Sequence, residues 1–339
     1  MTRTQRPGAA IERLKCEARG WHRGALAAAV AAIAMTVSGC ASTTGSSAVA
    51  ETQFDASSDF IIDAQVRGQP LRLKVDPGAP WFVLLNGSAA KRLKLVGTRS
   101  AKLAVGPMEL KGKTRSEKFN LNGTEARRPV MWLKGDGIKG ADGVINPAHL
   151  PWEFVKMRLK APRAGEQQIE LPMRFDKERG LYYEYSFGGQ TILTRFTLAD
   201  RLTTATGAAA SVIAKRRNGI WKGDPFSYAV RYGVTRPVRR MVLGQPLSVN
   251  GFVLSKMAVR ILDDRGDYRL PVQELPIVAS EQDPGEDILV LGKQRKTFGA
   301  PHFWLMIGSE DLSRCSNISY NNRTRRLILS CALTDPSSV

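Results

Sequence analysis

From residue 60 onward the chain alternates apolar and polar positions in short runs. Residues 60–66, 71–75, 101–105 and 169–175 each read as a strand of period two, and Gly, Pro and Asn turns separate them. Helical spacing is scarce. The clearest short helices are expected over residues 88–93, and over 147–154 with Asn146 as a cap. Residues 181–187 (LYYEYSF) form an aromatic strand suited to a core or to a cover over a cleft. So many short strands predict a mainly β fold of the barrel or sandwich kind.

Ahead of that body lies a different pattern. Residues 1–23 hold six basic side chains against Glu12 and Glu17, and residues 24–37 are almost purely apolar. This is the layout of an export signal, and fourteen apolar residues are too few for an ordinary membrane span. The run ends in Val37-Ser38-Gly39-Cys40 and a small polar stretch over 41–50, which resembles the lipobox of bacterial lipoproteins. The resemblance implies cleavage before Cys40, a diacylglycerol on its sulfur and an acyl chain, such as palmitate, on its new amino group. A lipid anchor of that kind holds a protein on a membrane without spanning it. Ala41, by similarity to the enterobacterial sorting rule, implies the outer membrane with the protein facing the periplasm. The alternative is a plain signal peptide with an incidental Cys40.

Composition narrows the class further. With 339 residues, 43% apolar and 24% charged, the chain is neither disordered nor fibrous, and its length favours two domains. It carries 50 Lys and Arg against 31 Asp and Glu, a net +19, of which +15 remains once residues 1–39 are removed. In an exported protein such charge points to anionic envelope lipid or glycan. No zinc-finger, RNA-recognition or helix-turn-helix signature suggests a nucleic-acid partner. Of four cysteines, Cys16 leaves with the signal and Cys40 is the lipidation site, so Cys315 and Cys331 form an isolated pair. Strands over 316–320 and 326–330, joined by a turn over 321–324, place these two opposite one another. An oxidising compartment then predicts a disulfide contributing about 3 kcal/mol, the alternative being two buried thiols.

The body also holds a weak internal repeat. Residues 72–79 (RLKVDPGA) recur 129 residues later as 201–208 (RLTTATGA), and at the same offset Val83-Leu84 matches Val212-Ile213. Residues 142–150 have a counterpart in 305–312. Each half runs from hairpin to tight Gly turn to apolar strand, then to a short helix or turn, which implies two similar lobes. The arrangement resembles retropepsin-like and pepsin-like aspartic proteases, whose lobes each supply an Asp-Thr-Gly or Asp-Ser-Gly loop braced by a later Gly. The resemblance implies a mainly β, two-lobed, acid-protease-like fold of duplicated retropepsin-like barrels. Its expected divisions are a signal peptide over 1–39, a lipidated cysteine and flexible tether over 40–58, lobe one over 59–165 and lobe two over 166–339.

The departures from that pattern govern the chemistry. Aspartic proteolysis needs two carboxylates sharing one proton. Lobe one offers Asp76 as the catalytic acid, followed by Pro77, Gly78 and Ala79, so the usual hydroxyl residue is missing. The matched residues of lobe two are Ala205, Thr206 and Gly207, which keep a hydroxyl and lose the acid. Asn146 stands where the bracing Gly of lobe one would be. A second acid could come from Asp263, Asp264 or Asp267, although their Asp-Arg-Gly run reads as a solvated turn. Asp76 also suits the first position of a type II Pro-Gly turn. Trp81, just beyond, is the best candidate for lining a cleft.

Other chemistries find little support. After processing only His149 and His302 remain, without ligand spacing, so neither metal nor cofactor is expected. No GxSxG elbow is present. Residues 106–114 (GPMELKGKT) have one residue too many between their glycines for a phosphate loop. Three functions follow as expectations: a membrane-anchored, catalytically degenerate protein binding a peptide or protein between its lobes; an active aspartic endopeptidase using Asp76 and an unidentified second acid; and a structural envelope protein contacting anionic lipid or glycan.

Overall fold

Alternation of side chains is realised as strand almost throughout. The computed structural model describes residues 50–105, 108–261, 293–294 and 302–332. The expected signal segment, Cys40 and the acidic run at 263–267 lie outside them. Within the compact unit Ala48–Val339, β1 (Glu51–Asp55) comes first and corrects an expectation. Residues 51–55 are not tether: Phe54 is buried, β1 pairs in parallel with a later strand, and Glu51 and Asp55 bond Lys156 and Arg158.

Lobe one then unfolds in order: β2 (Ile61–Val66) and β3 (Gln69–Val75) as a hairpin, β4 (Val83–Leu85), α1 (Gly87–Arg92), the antiparallel β5 (Arg99–Val105), β6 (Met108–Leu121) and β7 (Thr124–Leu133), and β8 (Gly143–Ile145). After β8, Asn146 caps a single 3-10 turn, Pro147–His149, by accepting the Ala148 N–H. The cap is as expected, but the helix is shorter. Next come β9 (Phe154–Arg158) and β10 (Gln167–Pro172).

Lobe two repeats the plan with β11 (Arg174–Asp176), β12 (Gly180–Phe187), β13 (Gln190–Phe196), β14 (Thr204–Thr206), α2 (Gly207–Arg217), β15 (Gly219–Arg231), β16 (Val234–Val249) and β17 (Phe252–Arg260). The short β18 (Lys293–Gln294) adds to β6 of lobe one. β19 (Trp304–Ile307), α3 (Ser309–Leu312), β20 (Cys315–Asn321) and β21 (Arg326–Cys331) complete it. The fold is mainly β, and its strand pairings show the duplication. β3 runs parallel to β8 as β13 does to β19, β4 is antiparallel to β8 as β14 is to β19, and β4 is parallel to β7 as β14 is to β17.

The pairings correct the register of the repeat. Val75 is opposite Ile145 in lobe one, and Phe196 is opposite Ile307 in lobe two. The residues that follow keep the match, because Asp76 N donates to Ile145 O at 3.1 Å and Thr197 N to Ile307 O at 2.9 Å. The counterpart of Asp76 is therefore Thr197, not Ala205. Ala205 lies buried within β14, and the expected matches Val212 and Ile213 lie within α2.

Strands from both halves meet in a third sheet of order β1-β9-β20-β21-β10. Its β20–β21 hairpin sets Cys315 opposite Cys331, and the two are joined by a disulfide. The main core runs continuously through both lobes, from Ile62, Leu73 and Phe119 to Phe196, Phe252 and Leu329.

Candidate functional site

The two equivalent loops meet at the seam between the lobes. In lobe one the Asp76 carboxylate oxygen Oδ1 accepts the Gly78 N–H at 3.0 Å, an Asx turn, while Ala79 N donates to Asp76 O at 2.9 Å. Lobe two contributes the other donors: Leu198 N to Oδ1 at 2.9 Å and Thr197 Oγ1 to Oδ2 at 2.9 Å. Asp76 is only 3% exposed. All three partners donate, matching a carboxylate that only accepts. Buried this way, Asp76 clasps the lobes together.

Gly78 is required by that clasp. Its φ is not positive, so the turn is not the type II expected from Pro-Gly. A Cβ at Gly78 would instead fall 2.7 Å from the Thr197 Cβ, so the close approach of the lobes demands glycine. Asn146, fully buried, donates to Pro77 O at 3.0 Å and Ala79 O at 2.9 Å. An amide thus braces from one side the loop that a glycine would allow to pack directly. Lobe two keeps the direct solution: a Cβ on Gly308 would lie 2.5 Å from the Leu202 carbonyl.

The remaining predicted residues have structural tasks. Thr206 caps α2, accepting from Ala209 N at 3.3 Å and Trp304 N at 3.1 Å and donating to His302 O at 2.5 Å. Its analogue in lobe one is Asn86, which donates to Ile138 O and Ala141 O and accepts from Gly137 N and Ile138 N. Ala79 is buried, and Gly207 opens α2. Trp81 is held at the seam. The Gly180 turn of lobe two packs on its backbone, Lys177 sits 6.0 Å from its ring, and its carbonyl bonds His149 Nε2. Burial pushes His149 down to about 4, so at neutral pH the ring is uncharged and Nε2–H donates to that carbonyl.

Several residues at the seam lay outside the sequence expectations. Asp200, three positions past Thr197, keeps some surface in solvent yet is crowded enough that burial pushes its carboxyl up to about 7. The charge of Asp76 adds to the rise, while Arg231 and Arg260 oppose it. Arg231 and Tyr232 end the long β15–β16 hairpin, where Tyr232 (φ 47°) and Gly233 (φ 76°) make the turn. That tip reaches lobe one: a Cβ on Gly137 would lie 2.5 Å from the Tyr232 carbonyl. A second cluster of buried side chains joins Ala79 and Leu84 of lobe one to Val230 and Val238 of this hairpin. Arg195, only 9% exposed, stacks 4.1 Å from the Trp304 ring, and burial holds its guanidinium well below the ordinary arginine range. The seam therefore has one clasped carboxylate, one carboxyl near neutrality and several cations.

No protein-family model matches this chain, and no curated protein matches it. Among solved structures, the solution structure of the Simian Foamy Virus (mac) protease is similar over 27% of this chain and 92% of that chain, at 17% identity and a TM-score of 0.22.

Proposed function

We propose that the chain is a membrane-anchored, extracytoplasmic protein of aspartic-protease-like build that has lost catalysis and uses the seam to bind a peptide or protein. One observation carries this reading: Thr197 occupies the position where a second acid would stand, and its hydroxyl bonds Asp76 at 2.9 Å. A hydroxyl cannot share the single proton of a carboxylate dyad or hold water between two acids. Asp200 and Arg231, each partly exposed and electrostatically coupled at the seam, are the groups that would meet a ligand there.

The test is incubation of the full chain carrying Cys40→Ser with a diverse peptide library over about pH 3–8, beside Asp76→Asn and Asp200→Asn variants. The expected result is saturable peptide binding without turnover. A second reading has its own support, since a carboxyl at about 7 beside Asp76 is suited to proton transfer. Cleavage abolished by Asp76→Asn would overturn the leading reading, and its loss in Asp200→Asn as well would identify Asp200 as the missing acid. Anchoring through Cys40 at the bacterial envelope is part of the proposal. Mass spectrometry of the mature N-terminus should find acyl chains on Cys40, absent in Cys40→Ser.

A further inference from the structure

Lobe one carries a concavity of about 580 Å³ whose lining does not include Asp76, Thr197, Asp200 or Arg231, bounded by α1, β5 and the β6–β7 edge. Its volume falls within the ~300–1,000 Å³ of small-molecule sites. The floor is apolar, made by Ala90, Leu95, Ala101, Trp132 and Leu133. Gly112 lets β6 pass close to β7 at this wall, since a Cβ there would lie 2.4 Å from the Trp132 carbonyl.

The rim has the opposite character. Lys91, Lys94, Lys102, Lys111, Lys113 and Lys134 surround the opening, all of them exposed. Lys102 pairs with Glu109 at 3.0 Å and Lys113 donates to Ser100 Oγ at 3.4 Å. Lys91, Lys94, Lys111 and Lys134 form no ion pair among the described residues. Lys102 and Lys111 are direct partners across the β5–β6 ladder, and like charges so placed destabilise a sheet. Glu109 offsets the charge of Lys102, and a bound anion would offset that of Lys111. The lysine stems extend the apolar wall while their ammonium groups stay in water.

We propose that this pocket binds a single-chain anionic amphiphile, with the acyl chain against Trp132 and Leu95 and the acidic headgroup among the lysines. A bare anion would leave the apolar lining unused, and a neutral amphiphile would leave Lys94, Lys111 and Lys134 unneutralised. The site is independent of Asp76 and of any cleavage at the seam.

The probe is dodecyl phosphate, below its micelle concentration, titrated into the full chain carrying Cys40→Ser. Binding should be one to one and about tenfold or more tighter than that of inorganic phosphate or of an uncharged dodecyl ether. It should weaken with salt. A Lys91→Gln/Lys111→Gln/Lys134→Gln variant, altered only at exposed positions, should lose about tenfold in affinity. A chain-brominated analogue should quench fluorescence in the parent protein and much less in Trp132→Phe. Equal binding of the uncharged ether, equal binding of phosphate alone, an unaffected lysine variant, or attachment to anionic vesicles without monomer binding would each overturn the proposal.

Discussion

The two lobes solve one packing problem in two ways. Each ends a strand at the seam, turns sharply, and must fix that turn against the strand entering from the far side of its lobe. Lobe two lets Gly308 touch the turn directly, with no room for a Cβ beside Leu202. Lobe one inserts the Asn146 amide, whose Nδ2 holds Pro77 O and Ala79 O and whose Oδ1 holds Ala148 N. The backbone bonds Asp76 N to Ile145 O and Thr197 N to Ile307 O are nevertheless the same. Duplicated architecture is therefore preserved by main-chain pairing, while the side chains at equivalent positions are free to exchange an acid for a hydroxyl and a glycine for an amide.

Exchanging the two solutions should have the largest effect. Asn146→Gly removes three buried hydrogen bonds and leaves two carbonyls and an N–H unpaired, and should cost on the order of 3–5 kcal/mol in denaturant unfolding. Gly308→Asn should be comparably severe through overlap with the Leu202 backbone. If both variants unfold like the parent, the bracing roles assigned here are wrong.

Next in size is the clasp. Asp76→Ala strands Gly78 N, Leu198 N and Thr197 Oγ1, for an expected loss of about 2–4 kcal/mol. Thr197→Val should cost about 1–2 kcal/mol, and a double-mutant cycle should show coupling of about 1 kcal/mol between the two. Thr197→Asp sharpens the comparison. Two adjacent carboxylates should raise one folded pKa above its unfolded value, making this variant more stable in mild acid than at neutral pH.

Titration distinguishes two seam residues by sign. His149 has a folded pKa of about 4, below its usual 6.5, so its contribution is complete above 6.5 and fades as pH falls towards 4. That fading should amount to about 2–3 kcal/mol and be absent in a His149→Gln variant that remains folded. Asp200 has a raised folded pKa of about 7, so its contribution is complete below the usual 3.8 and is lost as pH rises through 7. Asp200→Asn should therefore gain roughly 1–2 kcal/mol at pH 8, after allowance for its partial exposure, and little at pH 4. The smallest effect is expected at the helix cap, where Thr206→Ala should cost about 1 kcal/mol in thermal unfolding.

The strand pattern was legible because period-two alternation fixes which face is buried. The disulfide hairpin was legible because its turn set the register. The repeat is harder to place, because its letters match eight residues beyond the true counterpart of Asp76. Residues 201–208 share Arg, Leu, Gly and Ala letters with 72–79, yet they hold β14 and the cap of α2. The better signal was Gly68-Gln69 beside Gly189-Gln190, each a hairpin exit seven residues before Asp76 and Thr197. Thr197 is hidden in the sequence because it is neither an acid nor followed by glycine. Asp200 and Arg231 were hidden because their proximity arises only when a thirteen-residue strand folds back over the seam. Helix α2 was missed because its buried face is mostly alanine, which leaves a faint hydrophobic stripe.

The early start of β1 bears on reach. Strand β1 begins at Glu51, so residues 41–50 separate it from Cys40. Fully extended, such a leash spans no more than about 35–40 Å. A molecule anchored at Cys40 would search a thin layer beside the bilayer, and its encounter rate with any ligand would be set by concentration within that layer and not by that of the bulk compartment.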